Sequence, residues 1–310
     1  MTELVVVRFV HISACAIAFG LLTFVFCLPS AGPGGDSTRT RLGHALRKWA
    51  LAGGVLALAT WLLWLLVLTP MMSGLPLAQA WSWPILEAVM TQTWFGTVWL
   101  VRVGLLLLFV LLLWPKRDLS ARGLAFAAAL VLAALATAFI AGAGHANREA
   151  GVNGIAHLVS DGLHLLGAGA WLGGLPPLVI MFRDRFAPMG PGQHAKEVAI
   201  ILNRFSDLAV WAVGSLAVGA AVNTWFMIPT IDSLWAHAYG WMLLAKTALL
   251  FLMMMLAAHN RLILAPRFTR ESAAAAGSSV AATLRRNILI EIGAGTIILI
   301  VVSVMGITSP

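Results

Sequence analysis

The chain has 310 residues, of which 60% are hydrophobic and 10% charged. A soluble domain carries roughly a quarter charged residues, so this composition excludes an ordinary water-soluble globule and points to lipid. A formal charge of +8 does not argue for nucleic acid, because the positive residues are split among short loops and form no single patch.

The charged residues are clustered, which leaves long apolar runs. A run of about 20 such residues crosses the hydrocarbon core as a helix, at about 1.5 Å per residue. Lipid admits only helices or closed barrels as spanning structures. The runs are continuous and do not alternate, so they are helices. The expected fold is all-α: a polytopic membrane protein of about eight transmembrane helices, forming one transmembrane domain over 1–310.

The first span covers about 4–28. Its start, Met1-Thr2-Glu3, lacks the positive region of a signal peptide, and Arg8 and His11 sit inside it, so it is kept as a true span. Both cysteines, Cys15 and Cys27, lie in this run. A helix holds them about 18 Å apart, too far to bridge. The second span, 46–69, ends at Pro70. Residues 76–93, with Trp81, Trp83 and Glu87, suit an interfacial or re-entrant segment with its tryptophans at headgroup level. The remaining spans are 94–114, 121–141, 155–180, 205–228, 238–260 and 286–307. Pro176-Pro177 is expected to kink or end the fifth.

Charge orients the bundle. The loops after spans one, three, five and seven hold sixteen of the 20 Lys and Arg residues, whereas those after two, four and six hold only Arg148. The positive-inside rule places the first set in the cytoplasm and both termini on the periplasmic side.

Three basic residues remain inside spans: Arg8, Arg102 and Lys246. Ionisable groups at that depth face a partner or a wet cavity. Arg8 is near enough to the interface to snorkel. Asp161 is the expected partner of Arg102 and Lys246. The densest polar set is His157-x3-Asp161-x2-His164, whose spacing puts all three on one helical face. Interhelical hydrogen bonds are the plain reading; a metal or proton pathway is the sharper one. His157 and His164 stand about 10 Å apart along the axis, which is long for one ion. Two levels follow: His145 with His157 at the outer mouth, and His164 with His11 deeper, Asp161 between them. Cys15 lies one turn below His11 on the same face. Met71, Met72, Met90, Met227, Met242 and Met305 add soft donors in the outer half, which suits copper. Glu87 joins Arg102 and Lys246 as a candidate supporting network. On the inner side, His259-Asn260-Arg261 reads as a helix cap or a lipid-headgroup contact, and Asp207 and Glu291 as partners of Arg204 and Arg285, with proton acceptance as the alternative.

These residues also carry a resemblance. Arg8-Phe9-Val10-His11, Phe95-Gly96 with Trp99 and Arg102, and Gly144-His145-Ala146 occur in the N-terminal half. They are followed by His157, Asp161, His164, Trp171-Leu172-Gly173-Gly174-Leu175, Arg204-Phe205-Ser206, Tyr239-Gly240, Lys246 and Asn260-Arg261. In this order and spacing the chain resembles the CopD family of bacterial copper-resistance membrane proteins over nearly its full length, with about 200–307 similar to the CopD core region. The resemblance implies a protein of the bacterial inner membrane that handles copper, as Cu(I) or Cu(II), with a periplasmic CopC-type copper-binding protein as partner. It implies import from periplasm to cytoplasm.

The leading expectation is copper transport through His145, His157, Asp161, His164, His11 and Cys15. The alternatives are a b-type cytochrome using His11 and His164 as haem ligands, and a non-transporting copper-binding assembly factor. No haem is expected. Nothing resembles a nucleotide-binding loop or a catalytic constellation, so neither an ATP-driven pump nor an enzyme is expected.

Overall fold

The computed structural model describes residues 2–29, 38–114, 123–144, 151–182, 191–227, 232–273 and 278–308. Among them there is no strand, and eight helices are long and apolar enough to cross a membrane. The spanning helices are α1 (Thr2–Phe24), α2 (Thr38–Ser73), α5 (Trp94–Leu113), α6 (Leu124–Ala138), α7 (Gly151–Met181), α8 (Pro191–Met227), α10 (Ala238–His259) and α12 (Ser278–Met305). Short helices α3 (Leu77–Ala80) and α4 (Trp83–Gln92) occupy the stretch expected to lie at the interface, and Trp81 and Trp83 are exposed there. A four-residue α9 (Ser233–Ala236) precedes α10, and α11 (Ala265–Ala273) continues it.

Helix α7 continues through Pro176 and Pro177 and ends at Met181, next to the expected edge at 180. Each proline removes one backbone donor but both lie near the helix end, where few turns remain to be disrupted. The seventh span does not stop at Asn260. It passes through a π-helical turn, Asn260–Leu264, directly into α11.

Helix α1 is the hub, packed against α2, α6, α7 and α12. Its most apolar window is 72% buried, against 6% for the stretch containing α10, which therefore lies at the lipid-facing rim. The α1–α7 contact depends on glycine. A Cβ on Gly20 would meet the backbone of Gly169 and Gly173, and one on Gly173 would meet the carbonyl of Ala16. The Gly169-x3-Gly173 spacing thus serves a close helix crossing.

Two apolar cores result. One, around Trp61, Trp64 and Trp99, lies toward the end of the bundle where the chain begins, here termed the termini side. The other, around Phe24, Leu46, Phe109 and Leu178, lies toward the opposite, basic side. Some basic residues there also cap helices: Arg47 Nη1 donates to the Leu113 carbonyl at 2.7 Å and Arg204 Nη1 to the Leu28 carbonyl at 3.0 Å. Terminal carbonyls have no intrahelical donor, and cations suit that end of the dipole. Asp207 pairs with Arg261 at 2.9 Å, not with Arg204 or Arg285, because the π turn presents Arg261 to α8.

Over-packing a filled contact costs about 1–3 kcal/mol or more. Gly173→Val is expected to lower the melting temperature of the detergent-purified protein sharply. Gly104→Ala, where a Cβ meets nothing within 4 Å, is expected to leave it unchanged or raise it. Equal melting temperatures for the two would contradict the crossing.

Candidate functional site

The intramembrane polar residues sort into three groups. The first surrounds Arg102, which is fully buried on α5. Its Nε donates to the Ala136 carbonyl at 2.9 Å, and its Nη2 lies 2.7 Å from His11 Nε2 and 3.6 Å from Cys15 Sγ. The guanidinium also sits 3.9 Å from the ring centre of Trp61, a cation–π contact. His11 Nδ1 lies 3.0 Å from both the Ala57 carbonyl and Thr60 Oγ1. A carbonyl only accepts, so Nδ1 carries the proton and Nε2 accepts from Arg102. Trp61 and Trp99 brace the group by donating each indole N–H to the other's backbone carbonyl, at 3.1 and 2.9 Å.

This arrangement corrects the expected Arg102–Asp161 pairing. Packing of α1 against α2 and α5 delivers His11 and Cys15 to Arg102, and Asp161 is on the far side of α1. His11 commits both ring nitrogens within the protein, and Cys15 faces the same guanidinium. His11 and His164 therefore do not present two imidazole nitrogens to a common ligand.

The second group lines a cavity of about 150 Å³ between α1, α7, α8, α10 and α12, containing Arg8, Asp161, His164, Asn223, Lys246 and Met253. It adjoins a space of about 190 Å³ toward the termini side, lined by His157, Tyr239, Lys246 and Met305. Asp161 accepts from Asn223 Nδ2 at 2.9 Å. His164 Nδ1 lies 3.0 Å from the Leu216 carbonyl, so Nδ1 carries the proton and Nε2 is left with its lone pair. His157 stacks on Phe226 with ring centres 4.8 Å apart. Arg8 is 8% exposed, lies 4.9 Å from the Trp64 ring centre and reaches Gly306, just past the end of α12. Glu87 is exposed on α4 and lines neither space. His145 lies outside the described residues. Among the described residues no three of His, Cys, Asp and Glu come close enough together to hold a metal ion.

The third group lies toward the basic side. Glu291, 2% exposed, accepts from Asn260 Nδ2 at 2.8 Å, and Asn260 Oδ1 accepts from Asn287 Nδ2 at 2.8 Å. The Trp171 indole is in hydrogen-bonding range of the same carboxyl group. The expected pairing of Glu291 with Arg204 or Arg285 is thus replaced by neutral donors: Asn260, seven residues after the buried Met253, shares its inward face.

Residues 1–155 match the family described as copper resistance protein D-like, N-terminal domain, and residues 199–305 match copper resistance protein D. The chain belongs to the copper resistance protein D family. A copper resistance protein D of Pseudomonas syringae pv. tomato is 28% identical over 228 residues, 73% of this chain and 72% of the relative. The inner membrane protein YebZ of Escherichia coli (strain K12) is 28% identical over 231 residues, with the same shares of each chain. The copper transport protein CutJ of Bacillus subtilis (strain 168) is 31% identical over 175 residues, 52% of this chain but 29% of that protein. No solved structure matches. Asp161, His164 and Trp171 fall between the two matched regions.

For this family member the structure adds Asn223 and Met253 to the cavity. Met253 was legible in principle, since it stands seven residues after Lys246 and shares its helical face. Asn223 is a lone amide in an apolar span, a weaker signal.

A guanidinium makes the Arg102 contacts through a rigid fork that Lys does not reproduce. Arg102→Lys is expected to destabilise the purified protein nearly as much as Arg102→Leu, in a thermal melt with intrinsic tryptophan emission as readout. Wild-type stability in Arg102→Lys would show that charge alone suffices.

Proposed function

We propose that this protein carries copper across the bacterial inner membrane, from the periplasm to the cytoplasm, by way of the cavity holding Asp161, His164 and Met253. The observation that carries this reading is the meeting of an imidazole, a carboxyl and a thioether in one cavity near mid-membrane. His164 is thirteen residues along α7 and Met253 fifteen along α10, about 20 Å from those helix starts. Imidazole and thioether donors favour copper over hard cations. The family membership and the names of its relatives point the same way.

Electrostatics limits how copper is held. Asp161 faces the two positive residues Arg8 and Lys246 across the cavity. A bare cation meets net repulsion there, so the neutral donors His164 and Met253 supply the bonds and Asp161 offsets the local charge. The incomplete ligand set suits transfer, since a transported ion must be bound weakly enough to leave. The excess of Lys and Arg in the loops on the basic side supports placing that side in the cytoplasm. Copper then arrives from the termini side, past His157 and Met305, delivered by a CopC-type periplasmic protein.

The test is copper uptake into proteoliposomes, with copper offered on the face that holds the termini. His164→Ala is expected to lower the rate at least tenfold, in line with the ~10–100-fold losses caused by disturbing metal sites. Asp161→Asn is expected to have a smaller effect. Wild-type uptake by the double variant would overturn the route. Copper binding without uptake by wild type would instead make the protein an assembly factor.

A further inference from the structure

Trp171 lies at a boundary. It lines the cavity that holds Asp161 and His164, and it also lines a smaller one of about 40 Å³ toward the basic side. It is 1% exposed and packed in the bundle core. Along α7 it follows His164 by seven residues on the same face, about 10 Å. Trp171 is the residue whose side chain lines both spaces.

On the far side of that indole is Glu291. A carboxylate buried among apolar helices needs a cation or several donors. The hydrogen-bond donor to Glu291 is neutral, the Asn260 amide, itself fixed by Asn287, and the Trp171 indole lies within reach of the same carboxyl group. Among the described residues no Lys or Arg makes an ion pair with it. Arg261 lines the same small cavity, but its guanidinium bonds Ser206 at 3.0 Å and Asp207 at 2.9 Å and is 39% exposed. The other charged groups packed nearby are the Asp207 carboxylate on α8 and His259 at the end of α10, both on the exposed surface. The cavity has room for two or three waters, at about 10–15 Å³ each, between Glu291 and the Arg261 rim. Asn260, seven residues after Met253, faces the bundle at ordinary helical spacing and opens a π turn, and such turns recur at functional sites.

We propose that Glu291 is a proton-binding site on the basic side of the bundle, and that its proton controls the partition formed by Trp171. The donor set identifies the ligand class. Carboxyl and amide oxygens are hard and suit copper poorly, whereas a carboxyl reached by a short water chain suits a proton. As a carboxylate, Glu291 takes N–H groups from Asn260 and Trp171 and holds the indole across the path. When a proton from the adjoining water binds one oxygen, that oxygen becomes a donor and the hold on the indole weakens. The proton returns to the same water when the partition closes; no electrons are exchanged. The proton site stands on the structure alone, whereas the coupling rests on the transport reading.

Two measurements on the full-length protein separate these claims. Infrared difference spectra between acid and alkaline pH should show a protonated-carboxyl C=O band in wild type that is absent in Glu291→Gln and retained in Trp171→Phe. A band unchanged in Glu291→Gln overturns the proton site. In proteoliposomes, wild-type copper uptake should change with pH on the basic side by up to about tenfold per unit, the limit for one proton. Glu291→Gln should flatten that dependence while copper binding stays at the wild-type level, and Trp171→Phe should flatten it as well. A wild-type pH slope in Glu291→Gln overturns the coupling. If wild type moves no copper, the transport reading and the coupling both fall, and the infrared band still decides the proton site.

Discussion

A charged side chain at the centre of a lipid-surrounded helix costs about 2.5–3.5 kcal/mol even on lenient scales. Arg8, Arg102, Asp161, Lys246 and Glu291 all face that cost, and the bundle is organised around meeting it. Each is turned toward the interior, and each meets it differently. Arg102 is met by an imidazole, a thiol, a carbonyl and an indole face. Asp161 and Lys246 share a cavity with Arg8. Glu291 is met by amides and an indole. Helix α1 makes this possible. It is buried on most sides and separates the Arg102 group from the cavity. Its close crossing of α7 at Gly20 and Gly173 sets how near the two compartments lie.

Chemistry divides along the same line. The Arg102 group is tightly packed: His11 stacks on Trp61 and has both nitrogens bonded, and of the guanidinium nitrogens Nη1 alone lacks a partner among the described residues. That is the character of a structural brace. The Asp161 compartment is open: it has volume and an imidazole nitrogen not used by the helix, and polar and thioether groups face one another across space. One face of α7 then runs from His164 to Trp171, with Asp161 at its edge, so a single helix connects the ligand-like residues to the partition below them.

The span count was legible because run length and the absence of charge are local properties. So was the shared face of His157, Asp161 and His164, which follows from spacing alone. The partner of Arg102 was not. His11 and Arg102 are 91 positions apart, and helical period says nothing about which of two faces meets across a bundle. Asp161 was the natural guess by charge, but a neutral ring and a π surface hold the guanidinium instead. Asn260 was misread for a second reason. Taken as the end of the span, Asn260 reads as a cap; the helix in fact runs on through a π turn, and Asn260 lies on the same face as Lys246 and Met253, inside the bundle. Met253 was hidden in a run of three methionines on an apolar helix, where composition does not tell lipid-facing from cavity-facing sulfur.

The central claim is that His164 and Met253 together receive copper in the cavity beside Asp161. X-ray absorption on the copper-loaded protein tests it most directly, because it reads the donor atoms. The account predicts a copper edge with imidazole multiple-scattering and at least one sulfur scatterer, the first lost in His164→Ala and the second in Met253→Leu. A copper spectrum unchanged in both variants would contradict it.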